Sequence, residues 1–152
     1  MSTRRMARRA VLQLLYQIEL RGGAHLPLDQ ANECAEEWIA TARPDEATQR
    51  FVTDLVYGVA DRVGQLDEII AAYAVDWALE RIPVIDKNVL RLGLYEVLHR
   101  PDIPWQVSLN EAVELAKRYS TPEAAGFVNG LLAAVQQDHT VGGLTSLEGN
   151  DW

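Results

Sequence analysis

The segment Val84–His99 constrains the fold most. It is bracketed by Pro83 and Pro101 and carries Ile85, Val89, Leu90, Leu92, Leu94, Val97 and Leu98. These apolar positions cover much of a helical circumference rather than one stripe, which is the pattern of a central helix packed on several sides. Pro83 stands where a first helical turn tolerates proline. A central helix needs helical neighbours, and the remaining apolar positions recur at helical spacing. Val11, Leu14, Leu15 and Ile18 form one stripe. Phe51, Leu55, Val56 and Val59 form a second, and Leu66, Ile69, Ile70 and Tyr73 a third. Val128, Leu131, Leu132 and Val135 complete the set. No segment alternates as a strand would. With 48% hydrophobic residues but only 7% aromatic ones, the composition favours helices. The expectation is an all-α protein of about seven helices.

Punctuation places the ends. Ser2 or Thr3 caps a helix that Gly22-Gly23 stops near Arg21. Residues 24–28 form a loop, and a second helix runs from Asp29 to about Thr41, with Ala35, Trp38 and Ile39 as its apolar positions. Ala42-Arg43-Pro44-Asp45 ends it, with Asp45 as cap of a third helix to about Val63. Gly64 separates that helix from a fourth, Gln65 to Ala74. Residues 75–82 are irregular, with a single turn around Trp77. Ser108-Leu109-Asn110-Glu111 matches a capping box opening a sixth helix to about Tyr119. Ser120 or Thr121, followed by Pro122, caps the seventh, which ends near Gln137. One domain is expected over residues 1–137, with helical subdomains at about 3–74 and 83–137. The tail 138–152 is expected to be mobile.

Charge is distributed unevenly. The net charge is −8, yet residues 1–21 hold Arg4, Arg5, Arg8, Arg9 and Arg21 against Glu19 alone. That end carries +4, which leaves −12 for the remainder. Arg5, Arg9 and Tyr16, four and seven residues apart, share a face opposite the apolar stripe. Four guanidiniums within nine residues suit phosphate, because the planar fork matches its geometry. Phe127 is unusual too. It lies one position off the apolar stripe of its helix, follows Gly126 and sits near a helix N-terminus, where it can edge the core or stack on an unpaired base.

Other chemistries find little support. There is no glycine-rich phosphate loop. Glu96 and His99 form a single Glu-x-x-His pair, where di-iron bundles use two. The one cysteine, Cys34, lies among Glu33, Glu36 and Glu37, whose charges oppose a thiolate. The apolar stretch after the N-terminal arginines is broken by Gln13, Gln17 and Glu19 and lacks a small-residue cleavage site. No run reaches the roughly 18 apolar residues of a membrane span. The expectation is a soluble cytoplasmic protein without cofactor, metal or catalytic site.

Four motifs, in order, resemble the NusB family. They are the arginine-rich helix leading into Leu14-Leu15-Tyr16, then residues 90–96 (LRLGLYE), then Pro104 followed by residues 107–117 (VSLNEAVELAK), and residues 127–132 (FVNGLL). The resemblance covers about residues 4–135. It implies a fold of two roughly perpendicular helical subdomains and binding to the boxA element of ribosomal RNA leaders. It also implies pairing with NusE, a small-subunit ribosomal protein, in a complex with RNA polymerase, NusA and NusG. Arg4, Arg5 and Arg8 match the family's RNA-contacting basic positions, and Phe127 its base-contacting aromatic. Glu123 stands where a member of the family has an Asp near the RNA. Tyr16, Glu80 and Asp86 match positions facing NusE, a basic partner that an acidic surface would steer. Met6 interrupts the arginine run, and Gly126 replaces the polar or basic residue often found before the Phe. Homodimers occur in the family. The fold also resembles the RNA-binding part of certain rRNA cytosine methyltransferases, whose following catalytic domain is not found in these 152 residues. A helical interaction or self-association module without RNA binding is the remaining alternative.

Overall fold

A computed structural model describes residues 3–139. It contains α1 (Thr3–Gly22), α2 (Leu28–Ala42), α3 (Glu46–Asp61), α4 (Val63–Tyr73), α5 (Val84–His99), α6 (Trp105–Tyr119) and α7 (Pro122–Asp138), with a single 3₁₀ turn at Leu79–Arg81. No strand occurs among the described residues. Most of the expected tail, residues 140–152, lies outside them. Asp138, assigned to that tail by the sequence, instead closes α7.

The chain divides into two compact units, one ending at Val63 and the other starting at Gly64. In the first, α1, α2 and α3 each pack on the other two. In the core of this unit α1 buries Val11, Leu14, Leu15 and Ile18, and α3 buries Phe51, Val52, Leu55, Val56 and Val59. Gly23 stops α1: it adopts φ +100°, and its N–H donates to the Glu19 carbonyl at 2.9 Å. Asp45 caps α3 as expected, its Oδ1 accepting from the Thr48 N–H at 2.7 Å. That bond holds the Asp45 carboxyl below the usual range.

In the second unit α5, α6 and α7 pack mutually. Every residue of α5 from Asp86 to Glu96 is buried, which bears out its central character. Gly93 permits the close approach of its neighbours. A Cβ there would stand 2.8 Å from Leu132 Cδ1 and 3.2 Å from Ala112 Cβ. The cap of α7 is the expected one, with the Ala124 N–H donating to Thr121 Oγ1 at 3.0 Å and Pro122 at the first position.

Four expectations need correction. Gly64 does not separate α3 from α4; the break falls at Arg62, and Gly64 lies in the first turn of α4. The segment after α4 holds two turns rather than one: the expected turn at Trp77, whose N–H donates to the Ala74 carbonyl at 3.2 Å, and a 3₁₀ turn at Leu79–Arg81. Ser108 is not a cap. Pro104 precedes α6, and Ser108 sits one turn inside, donating to Glu96 Oε1 at 2.8 Å in the core. Finally, α4 groups with the C-terminal helices, not with the N-terminal subdomain. Two side-chain pairings tie it there. The fully buried Arg91 guanidinium makes a fork-to-fork pair with Asp67, Nε to Oδ1 and Nη2 to Oδ2, both 2.8 Å. Tyr73 donates to Asp138 Oδ2 at 2.6 Å, and burial with that bond pushes its hydroxyl up to about 12.

Asn88 joins the Arg91 cluster, its Oδ1 accepting from Nη1 at 2.8 Å. Removing one partner of a buried ion pair leaves a charge uncompensated in low dielectric. Asp67→Ala is therefore expected to destabilise the protein by about 3 kcal/mol in urea unfolding. A loss under about 1 kcal/mol would show that the pair contributes no more than an exposed one.

Candidate nucleic-acid interface

The arginines of α1 do not share one environment. Arg4 and Arg5 are exposed, as are Met6 and Tyr16. Arg8 is 3% exposed. Its guanidinium carbon lies 5.3 Å from the centre of the Phe51 ring, and that of Arg4 lies 4.5 Å from it. Two cations thus share one aromatic ring, a favourable arrangement that also fixes side chains that would otherwise sample many rotamers. Arg21 pairs with Glu37 through Nη1 to Oε2 at 3.1 Å and Nη2 to Oε1 at 3.0 Å. The +4 counted along the first 21 residues therefore overstates the charge offered to a ligand. Phe51 had no functional signal in the sequence, because it fits the core stripe of α3 completely.

The second unit holds a cleft of about 350 Å³. Its walls are Trp77, Ile82, Pro83 and Phe127, and its polar lining includes Asp86, Thr121 and Glu123. Phe127 is half-buried and Glu123 exposed at the start of α7. The Trp77 and Phe127 rings lie 6.3 Å apart, tilted by 33°. Asp86, which the resemblance placed among partner-facing residues, is only 6% exposed, whereas Glu80 is exposed on the 3₁₀ turn. The cleft thus joins three residues marked from sequence, Phe127, Glu123 and Asp86. It adds Trp77, whose signal was a large aromatic in an irregular segment.

Burial pushes the Cys34 thiol above its ordinary value. Glu37 and Glu33 add to the effect and Arg21 opposes it, so burial matters more than the carboxylates that the sequence pointed to. Glu96 Oε1 accepts from the Ser108 hydroxyl at 2.8 Å. No group of three or more His, Cys, Asp or Glu side chains among the described residues could hold a metal ion. No described helix is long and apolar enough to cross a membrane.

The architecture is that of solved antitermination factors. T. maritima NusB superposes with a TM-score of 0.78 at 35% identity, covering 90% of this chain and 92% of that one. A structure of the antitermination factors NusB and NusE in complex with dsRNA gives 0.73 at 26% identity, covering 89% and 96%. In sequence, the transcription antitermination protein NusB of Bacillus velezensis is 43% identical over 135 residues, 89% of this chain and 96% of the relative. The NusB family model matches residues 5–137, and the chain belongs to the NusB family. It is an antitermination factor of that family, a regulatory protein and not an enzyme.

The burial of Arg8 generates a test of its role. Arg8→Gln is expected to lower stability by more than about 1 kcal/mol, through lost packing and ring contact. Arg5→Gln, at an exposed position, should change it by under about 0.5 kcal/mol. Equal effects in denaturant titration would show that burial does not separate the two.

Proposed function

We propose that this chain binds boxA RNA of ribosomal RNA leaders together with NusE, acting in the cytoplasm within the Nus complex with RNA polymerase, NusA and NusG. The observation that carries this reading is family membership joined to a solved relative held with NusE and dsRNA. Arg4 and Arg5 supply phosphate contacts from α1. Arg8 works from beneath, sharing the Phe51 ring with Arg4 and so fixing the position of that side chain. Phe127 offers a ring for an unpaired base, and Glu123 stands one helical turn before it. Stacking gives affinity that tolerates sequence, while the arginines make binding salt-dependent.

Tyr16 and Glu80, both exposed, are the residues proposed to face NusE. The acidic remainder of the chain would steer a basic ribosomal protein and fix its orientation. Asp86, at the wall of the cleft with its Oδ1 open to a donor, is the third residue proposed to face NusE.

Anisotropy of a fluorescent boxA RNA, with and without NusE and across a salt series, tests the proposal against a scrambled RNA of equal length. Preferential boxA binding that NusE tightens and salt weakens linearly on logarithmic axes is the expected result. Absence of binding to either RNA, even with NusE present, would overturn it. Phe127→Ala should weaken boxA binding by about 1–3 kcal/mol, and an unchanged Kd would remove the ring from the interface. Gly126 supplies a gain-of-function check. A Cβ there meets nothing within 4 Å, and the position is exposed. Gly126→Lys should raise stability by about 0.5–1 kcal/mol and steepen the salt slope by about 0.7. An unaltered slope would place RNA away from this turn of α7.

A further inference from the structure

We propose that Phe51, a core residue of α3, is a positioning residue for RNA: its ring holds the Arg4 and Arg8 guanidiniums in the arrangement that phosphate meets. The inference rests on the RNA-binding reading above and adds to that site a residue that is not itself in contact with RNA.

Three general effects oppose the cations of α1 where they stand. Arg4 and Arg5 lie in the first helical turn, which holds no acidic residue, so they face the positive end of the helix dipole. Arg4 and Arg8 are four residues apart on one face, a spacing at which like charges repel. Arg8 is 3% exposed, and a guanidinium so buried loses most of its hydration. Folding alone does not call for any of these placements. A ligand that needs positive charge at this end of the chain does.

Phe51 offsets part of that cost. Its ring centre lies 4.5 Å from the Arg4 guanidinium carbon and 5.3 Å from that of Arg8. Both distances fall inside the roughly 6 Å reach of a cation–π contact. The negative face of the ring attracts both cations and neutralises neither. A carboxylate in its place would hold them and cancel charge, as Glu37 does for Arg21. A hollow of about 280 Å³ opens beside the ring, lined by Thr3, Arg4, Asp45 and Thr48 as well as Phe51. Asp45 is committed there to capping α3 through the Thr48 N–H. Phe51 itself is 6% exposed, so a base has no open face of it to stack on. The ring therefore acts on RNA through the arginines.

Site-specific replacement of Phe51 by mono-, di- and trifluorophenylalanine tests this in the full chain. Added fluorine weakens the negative face of the ring step by step at nearly constant shape. Affinity for fluorescent boxA RNA should fall at each step, by about fivefold or more over the series, with an unchanged circular dichroism spectrum. In an Arg4→Gln background the same series should span about twofold or less, because the ring then has one cation fewer to hold. Constant affinity along the series would overturn the inference and leave RNA binding standing. Rising affinity would overturn it too, because RNA then draws the arginines off the ring. A series equally steep in the Arg4→Gln background would overturn it as well, since the ring would then act by another route. If the wild-type protein binds no boxA RNA with or without NusE, both readings fall together.

Discussion

The second unit depends on one buried guanidinium. Arg91 has no exposed side-chain surface, and a charge so placed is tolerable only when its donors are directed at fixed acceptors. Asp67 takes Nε and Nη2, and Asn88 takes Nη1. Asp67 belongs to α4, so satisfying Arg91 recruits that helix to α5. The Ser108 hydroxyl on the buried Glu96 carboxylate does the same for α6. An apolar stripe can slide along its neighbour at modest cost, whereas a forked pair holds one register. The α5 scaffold that presents Asp86 to the cleft is therefore positioned by polar contacts within an apolar core.

The first unit shows how a structure sorts charges that look equivalent in a sequence. Of the N-terminal arginines, one shares a ring from a buried position, one shares it from an exposed position and one is paired with Glu37. A cation over an aromatic face keeps its full charge, so Arg4 remains available to an anion while its side chain is held in place. A cation in a bidentate pair offers a ligand much less. Counting arginines measures the charge of a segment, but the geometry around each decides how much of it can reach a phosphate.

The two features proposed for RNA differ in physics. The arginines act at a distance, and their effect is weakened by salt. The Phe127 ring would act on contact, through stacking. Phosphate contacts position a nucleic acid, whereas base contacts specify it. On that reading, a chain of net charge −8 would draw RNA only locally, while its acidic remainder would discourage binding elsewhere.

Helix number, the span of α5, the caps at Asp45 and Thr121, and family membership were all legible in the sequence. Each is written in local periodicity, in capping residues or in contiguous motifs. The role of Ser108 was not. Ser-x-x-Glu reads the same at a helix start and one turn inside, and only Glu96 on α5 separates the two. The grouping of α4 was equally hidden, because Asp67 finds its partner 24 residues later. Burial of Arg8 depends on Phe51 in another helix, and burial of Asp86 on a cleft walled by residues far apart in the chain. The sequence by itself determined which helices form and which residue types can meet RNA. Tertiary structure alone decided which of those side chains remain accessible and which are buried with an acceptor still open. Propensity acts between neighbours along the chain, whereas accessibility and hydrogen-bond satisfaction are set by residues that only folding brings together.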